Sequence, residues 1–346
     1  MFILNAVVLI LSINFGFFGK VQGNSTYSEF YCEIFEKNTN LSAPHLLELH
    51  LPVCSDLGPL NAPHLKSVII EHCFRNTLKI KHFSSLKNIS SLQLKNGTLW
   101  DLEDHEFVNL SKLNILYLGK NEIVSLSNET FKNLTQLRFL SLQNNYITRF
   151  PEKVFQPLES LQHLDLSINK ITNLTKDILA GNRNLRSLFL NDNPLIQVDF
   201  PDFDFQIIDL SRCLTLKEVK LFSKVDTLIL ENSGVESLIS SERINKINAA
   251  YGKLKDLQLQ RKDCLIELDL RGSRLGLTEK NLSEYFCNMW SLERLDLSNN
   301  SLETLPQAVQ CLQRRSLPNA KPEILKSFGE SIGQLFRGNI SNWTTS

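Results

Sequence analysis

Apolar residues recur along this chain in a fixed short order, Leu-x-x-Leu-x-Leu. The first place of that order is taken by Leu65, Ile89, Leu113, Leu137, Leu161, Leu185, Phe205, Val225, Ile244, Leu265 and Leu292. From Ile89 to Leu161 the interval is 24 residues each time. Leu113, Leu116 and Leu118 are followed by Asn121 and then by Ile123, Leu126, Phe131 and Leu134, and the next two intervals repeat the same types in the same places. Alternation around Leu116 and Leu118 predicts a short strand with the leucines inward and the residues between them outward. Each interval therefore predicts one coil carrying one apolar wedge, which is buried only when neighbouring coils stack against it.

A period of about 20 to 29 residues with this internal order describes a leucine-rich-repeat horseshoe. The predicted fold class is an α/β solenoid with a parallel concave β-sheet and an irregular convex side. Asn121, Asn145 and Asn169 fall where a tight turn leaves backbone groups facing inward, and an amide satisfies both donors and acceptors there. The expected organisation is a signal peptide over 1–23, an N-terminal cap with a degenerate first repeat over 24–64, the array over 65–311 and a tail over 312–346. In that tail Pro322 starts a predicted helix that places Ile324, Leu325, Phe328, Ile332, Leu335 and Phe336 on one side, as a cap over the last coil.

Residues 1–23 hold a long apolar stretch and end in Val21-Gln22-Gly23, small residues where a signal peptidase cuts, so the chain is expected to be exported. Nothing later is long and apolar enough to predict a membrane span. Twelve Asn-x-Ser/Thr sequons fit export: Asn24, Asn40, Asn88, Asn96, Asn109, Asn128, Asn133, Asn173, Asn281, Asn299, Asn339 and Asn342. None falls between Asn173 and Asn281, which leaves a stretch of coils open to a protein partner.

Cysteine placement adds a distance argument. Cys32, Cys54 and Cys73 lie at the front, Cys213 in the middle, and Cys264, Cys287 and Cys311 at the back. Stacked strands advance roughly 4.8 Å each, so front and back are about 40 Å apart, beyond any disulfide. Each end closes one bridge at most. Cys32 with Cys54 is the expected front pair, capping the first coil, with Cys73 buried and free. At the back, Cys264 with Cys287 and Cys287 with Cys311 both fit, and one thiol is left over. Cys311 is the expected odd one, free or bridging to another chain. Cys213 occupies a ladder place and reads as a buried unpaired thiol.

Lys plus Arg equals Asp plus Glu at 37 each, which argues against a nucleic acid or an anionic membrane held by bulk charge. No nucleophile elbow, phosphate loop or zinc-protease motif appears, so no enzyme, cofactor or metal is expected. His45, Glu48 and His50 read as strand-rim residues, and Asp101, Glu103, Asp104 and His105 as a solvated surface.

Binding chemistry is expected on the concave sheet, where outward residues align from strand to strand. One column runs through Ile115, Phe139, His163 and Ser187, and the other through Tyr117, Ser141, Asp165 and Phe189. Tyr117, Phe139, His163, Asp165 and Phe189 form the candidate partner-binding group, since exposed aromatics grouped on a sheet have the composition of a hot spot.

The export signal, the 24-residue Asn-type repeats and the run Leu265-Ile-Glu-Leu-Asp-Leu-Arg-Gly together resemble secreted leucine-rich-repeat proteins of insects. The arrangement is most similar to the leucine-rich-repeat immune proteins of mosquitoes, in their type without a coiled coil. The resemblance implies a soluble haemolymph protein of a complement-like defence that binds another secreted protein or a microbial surface, with a disulfide-linked or non-covalent dimer as one form. The competing expectation is an extracellular adhesion or developmental module, or a shed co-receptor, built on the same fold.

Overall fold

The computed structural model describes residues 48–51, 63–72, 83, 85–100, 102, 104–273 and 288–300. The export segment, most of the cap, the tail with its helix, Cys32, Cys54, Cys73, Cys287 and Cys311, and the sequons Asn24, Asn40, Asn281, Asn339 and Asn342 lie outside the described residues.

Twelve parallel strands form one sheet in chain order: β1 (Glu48–Leu51), β2 (Ser67–Glu71), β3 (Ser91–Lys95), β4 (Ile115–Tyr117), β5 (Phe139–Ser141), β6 (His163–Asp165), β7 (Ser187–Phe189), β8 (Phe205–Asp209), β9 (Val225–Ile229), β10 (Ile244–Asn248), β11 (Glu267–Asp269) and β12 (Arg294–Asp296). Their central residues pair in unbroken register, for example Leu92 with Leu116, Leu140 with Leu164 and Leu188 with Ile208, and all are fully buried. This is the leucine-rich-repeat solenoid. Its core is one continuous column of wedges from Leu49 to Leu297, with Leu164 and Phe155 at 0% exposure.

The strand ends in a turn whose inward carbonyls would be orphaned without a side-chain partner. Asn145 fills that role: its amide nitrogen donates to Leu118 O (3.0 Å) in the preceding coil and to Leu142 O (2.9 Å) in its own, while its oxygen accepts from Ile123 N (2.9 Å). Asn121, Asn169 and Asn193 repeat these bonds. Beyond Asn193 the same place passes to Cys213, Ser233, Gly252 and Ser273 before Asn300 restores the amide. Cys213 Sγ donates to Leu190 O (3.3 Å) and Ser273 Oγ to Ala249 O (2.7 Å), so each keeps a single link to the preceding coil.

The convex side differs from the irregular one expected. Glu218–Leu221, Ser237–Ser240 and Asp256–Leu259 form a three-stranded parallel sheet there, and Asn173–Leu174 pairs with Gln197–Val198. Coil length is the physical reason for the three-stranded sheet. From Leu185 to Leu265 the intervals shrink to 20, 20, 19 and 21 residues. A short return path has no residues to spare for turns, so its backbone runs extended and hydrogen bonds with the next coil. In the 24-residue coils, turns and large side chains fill the same region, and Phe107, Phe131 and Phe155 stack at centroid distances of 6.3 and 6.2 Å.

A second column follows the ladder. The residue seven places after each first apolar position lies in the left-handed region, with φ from 52° at Asn232 to 62° at Gly272. Asn occupies the site at 96, 144, 232 and 299, as expected of a residue that tolerates this conformation. Ile168, at φ 55° and 41% exposed, is β-branched and pays the steric penalty that Asn avoids. Ile168→Asn is expected to stabilise the fold by about 1 kcal/mol, read as a higher urea midpoint with unchanged slope. An unchanged or lower midpoint would show that packing of the isoleucine outweighs its strain.

Candidate binding surface on the concave sheet

The strand register places the two outward columns as anticipated. Ile115, Phe139 and His163 are direct neighbours across β4, β5 and β6, and Tyr117, Ser141, Asp165 and Phe189 across β4 to β7. The structure brings Phe139 and His163 together with ring centroids 6.3 Å apart and a tilt of 39°. Ile115 is 40% exposed, whereas Tyr117, Phe139, His163, Asp165 and Phe189 are half-buried. Ser141 and Ser187 face outward yet are 0% and 4% exposed, so larger neighbours close over them. The centre of the sheet is thus a packed aromatic and aliphatic surface rather than a row of free side chains.

Local chemistry shapes that surface. The Tyr117 ring lies against the backbone of Gly119, where an added Cβ would meet ring atoms at 2.8 Å, so the missing side chain is what lets the tyrosine lie flat. Its hydroxyl donates to Gln143 Oε1 at 3.3 Å. Burial, and next the negative charge of Asp165, hold the Tyr117 phenol above its ordinary range. Asp165 is itself pinned, because its Oδ1 accepts from the backbone N–H of Ser167 (3.0 Å) and from the Ser167 hydroxyl (2.6 Å). Asp209 makes the same turn with Ser211. Gly119, Gln143 and the two turn serines belong to the site although the alternation pattern alone does not reveal them. The signals are a glycine and a Ser placed two residues after an outward Asp.

The two ends of the sheet carry paired charges. At the front, Glu71 holds Lys95 at 3.0 Å and lies 3.6 Å from His50. At the back, Glu267 pairs with Lys246 (2.9 Å) and with Arg294, and Asp269 with Arg271 (2.9 Å). Such partly exposed pairs contribute about 0 to 1 kcal/mol each. His50 belongs to this ion-paired end, and His105 sits 3.6 Å from Glu129 on the convex side. Among the described residues no three His, Cys, Asp or Glu side chains gather as metal ligands, and no helix is long and apolar enough to cross a membrane.

Sequon placement is uneven. Asn109, Asn128, Asn133, Asn173 and Asn299 are exposed. Asn88 and Asn96 are half-buried, and the Asn88 amide nitrogen donates to Pro63 O (3.0 Å), a bond that a glycan at that nitrogen would strain. Cys213 is a buried free thiol. Cys264 is also a free thiol and is half-buried, and its expected partner Cys287 lies outside the described residues. Cys264 lies 3.5 Å from both Arg261 and Asp263, which hold its sulfur at the edge of the coil.

The sequence matches family models described as "Leucine rich repeat" over residues 87–147 and 140–195 and "Leucine Rich Repeat" over 291–312. Among curated proteins no match is found. Among solved structures, similar chains include the APL1 leucine-rich repeat domain, with a TM-score of 0.51 and 19% identity over 75% of this chain and 63% of that one. Others are found in a TLR13–ssRNA13 complex (0.46, 22%, 78% and 46%) and an LRIM1/APL1C complex (0.46, 20%, 74% and 44%). The chain thus spans about half the length of the TLR13 chain, and at such identities the likeness is one of fold.

Burial pushes the Cys213 thiol up to about 12, so it stays protonated and shielded at any pH where the protein is handled. Native protein treated with iodoacetamide at mildly alkaline pH should show no label at Cys213 by peptide mass spectrometry, and full label after unfolding in guanidinium. Rapid labelling of the native chain would mean that the coil beginning at Phe205 opens locally.

Proposed function

We propose that this protein is a secreted, non-enzymatic recognition factor of innate immunity that holds another protein on the centre of its concave sheet. The observation that carries this reading is the in-register aromatic group Tyr117, Phe139, His163 and Phe189 on a rigid strand array, flanked on both sides by charges that are already paired. Hot spots favour such pre-packed aromatic anchors, because little rotamer freedom remains to be lost on binding. The run of coils between Asn173 and Asn281 lacks sequons, which leaves the Phe189 edge of this group and the coils after it approachable once glycans are attached. The export signal and the dense sequons support a location outside the cell. The immune assignment rests on the sequence resemblance to mosquito leucine-rich-repeat immune proteins and is in keeping with the fold shared with APL1.

Immobilised wild-type protein and its Phe139→Ser, Phe189→Ser and Lys220→Ser variants, incubated with body fluid of the source animal, separate the concave from the convex side. The expected result is a retained protein that falls about 30-fold with either Phe variant, the loss of an anchor worth ~2 kcal/mol, and is unchanged with Lys220→Ser on the outer strand. Equal retention by all four would overturn the concave-surface reading. Abundance of the protein should rise after microbial challenge, and constant abundance in challenged animals would favour the adhesion or developmental role.

A further inference from the structure

The concave centre differs from its two ends in one respect that bears on the partner's chemistry. Across β4 to β9 neither outward column contains Lys or Arg. Two carboxylates do occur, Asp165 on β6 and Asp209 on β8, and they are in direct register with Phe189 between them. Successive strands are ~4.8 Å apart, so the carboxylates stand roughly 10 Å from each other with an aromatic ring in the gap.

Neither acid is clasped by a cation, although the charge of Arg212 is within electrostatic reach of Asp209. Each uses Oδ1 to close its own turn through Ser167 or Ser211, and neither has an ion-pair partner among the described residues. The arginines nearby are committed elsewhere. Arg212 is held by both oxygens of Asp192, and Arg186 donates to the carbonyls of Arg183, Leu185 and Asp204. Every outward Glu or Asp at the ends of the sheet that faces a cation has one bound, as Glu71 and Glu267 show. A half-buried carboxylate fixed in one rotamer beside a ring favours a cationic head whose apolar stem lies on that ring.

We propose that Asp165, Phe189 and Asp209 form a socket for a Lys or Arg side chain, so that the partner held on this sheet is a protein presenting a basic residue within an apolar segment. The proposal rests on the concave-surface reading above and adds its partner chemistry. A negatively charged or nucleic-acid ligand is disfavoured there, since two fixed carboxylates would repel it and the nearest guanidinium, Arg212, is already clasped by Asp192.

The test uses charge removal without loss of the turn. Ser141, in the corresponding place on β5, accepts the Gln143 N–H through Oγ at 3.4 Å, so serine maintains this turn in the protein itself, and unlike asparagine it creates no Asn-x-Ser sequon with Ser167 or Ser211. The full-length glycosylated protein is used to select from a phage-displayed library of random peptides, and the selected peptides are then titrated against wild type, the double variant Asp165→Ser/Asp209→Ser, and Phe189→Ser. Peptides enriched in Lys or Arg beside apolar residues are expected, with affinity at least tenfold weaker for the double variant and a salt dependence that this variant loses. Selected peptides without basic residues, or ones bound equally by the double variant, overturn the proposal. If those peptides still lose affinity with Phe189→Ser, the concave surface stands and only its preference for a cation falls. Indifference to both variants overturns both readings, and failure to enrich any peptide overturns the socket.

Discussion

The amide of Asn145 reaches into the coil before it as well as its own, and this shared bonding is what makes the array a single object. No coil satisfies its own inward carbonyls or buries its own leucines. Stability is accordingly a sum over neighbouring pairs, and damage to one coil weakens the two beside it before it reaches the rest. Where the amide is replaced by Cys213, Ser233, Gly252 and Ser273, the side-chain link is reduced to one bond or to backbone contacts alone, as when Gly234 N donates to Cys213 O at 3.0 Å. The convex strands take over part of the coupling in that region, which explains why the ladder thins where the outer sheet forms.

The same rigidity gives the concave centre its character. Side chains that would be mobile on an isolated strand are fixed here by what lies beside them: Tyr117 by the bare backbone of Gly119, and Asp165 and Asp209 by their turn serines. Fixed groups lose little entropy when a ligand arrives. Such a surface selects by fit and charge rather than by adapting, and it suits a scaffold whose backbone holds its register over twelve strands.

Most of the architecture is legible from apolar spacing, because the strand period of two and the coil period of about 24 leave each outward residue only one place to go. The columns containing Phe139 and His163, and Tyr117 and Asp165, follow from that alone, as does the burial of Leu164 and Phe155. The convex sheet was signalled by the shortened intervals after Leu185, but periodicity of leucines says nothing about what a return path does with its backbone. The pinning of Asp165 and the flat pose of Tyr117 depend on residues two positions away that carry no apolar signal. The placement of Cys264 between Arg261 and Asp263 depends on where its neighbours lie in space, which spacing along the chain does not give.

The stacked phenylalanines and the convex strands together determine how the molecule bends. A solenoid curves when its outer side advances further per coil than its inner side. In the 24-residue coils the rings of Phe107, Phe131 and Phe155 step by 6.3 and 6.2 Å, against ~4.8 Å for the paired strands inside, so this part arcs. From Glu218 to Leu259 both sides are hydrogen-bonded sheets with the same spacing, and the arc straightens. The aromatic centre therefore lies along the curved portion and Asp209 at its exit, so the proposed binding surface would offer a hollow at Phe139 and a flatter track of sequon-free coils beyond it.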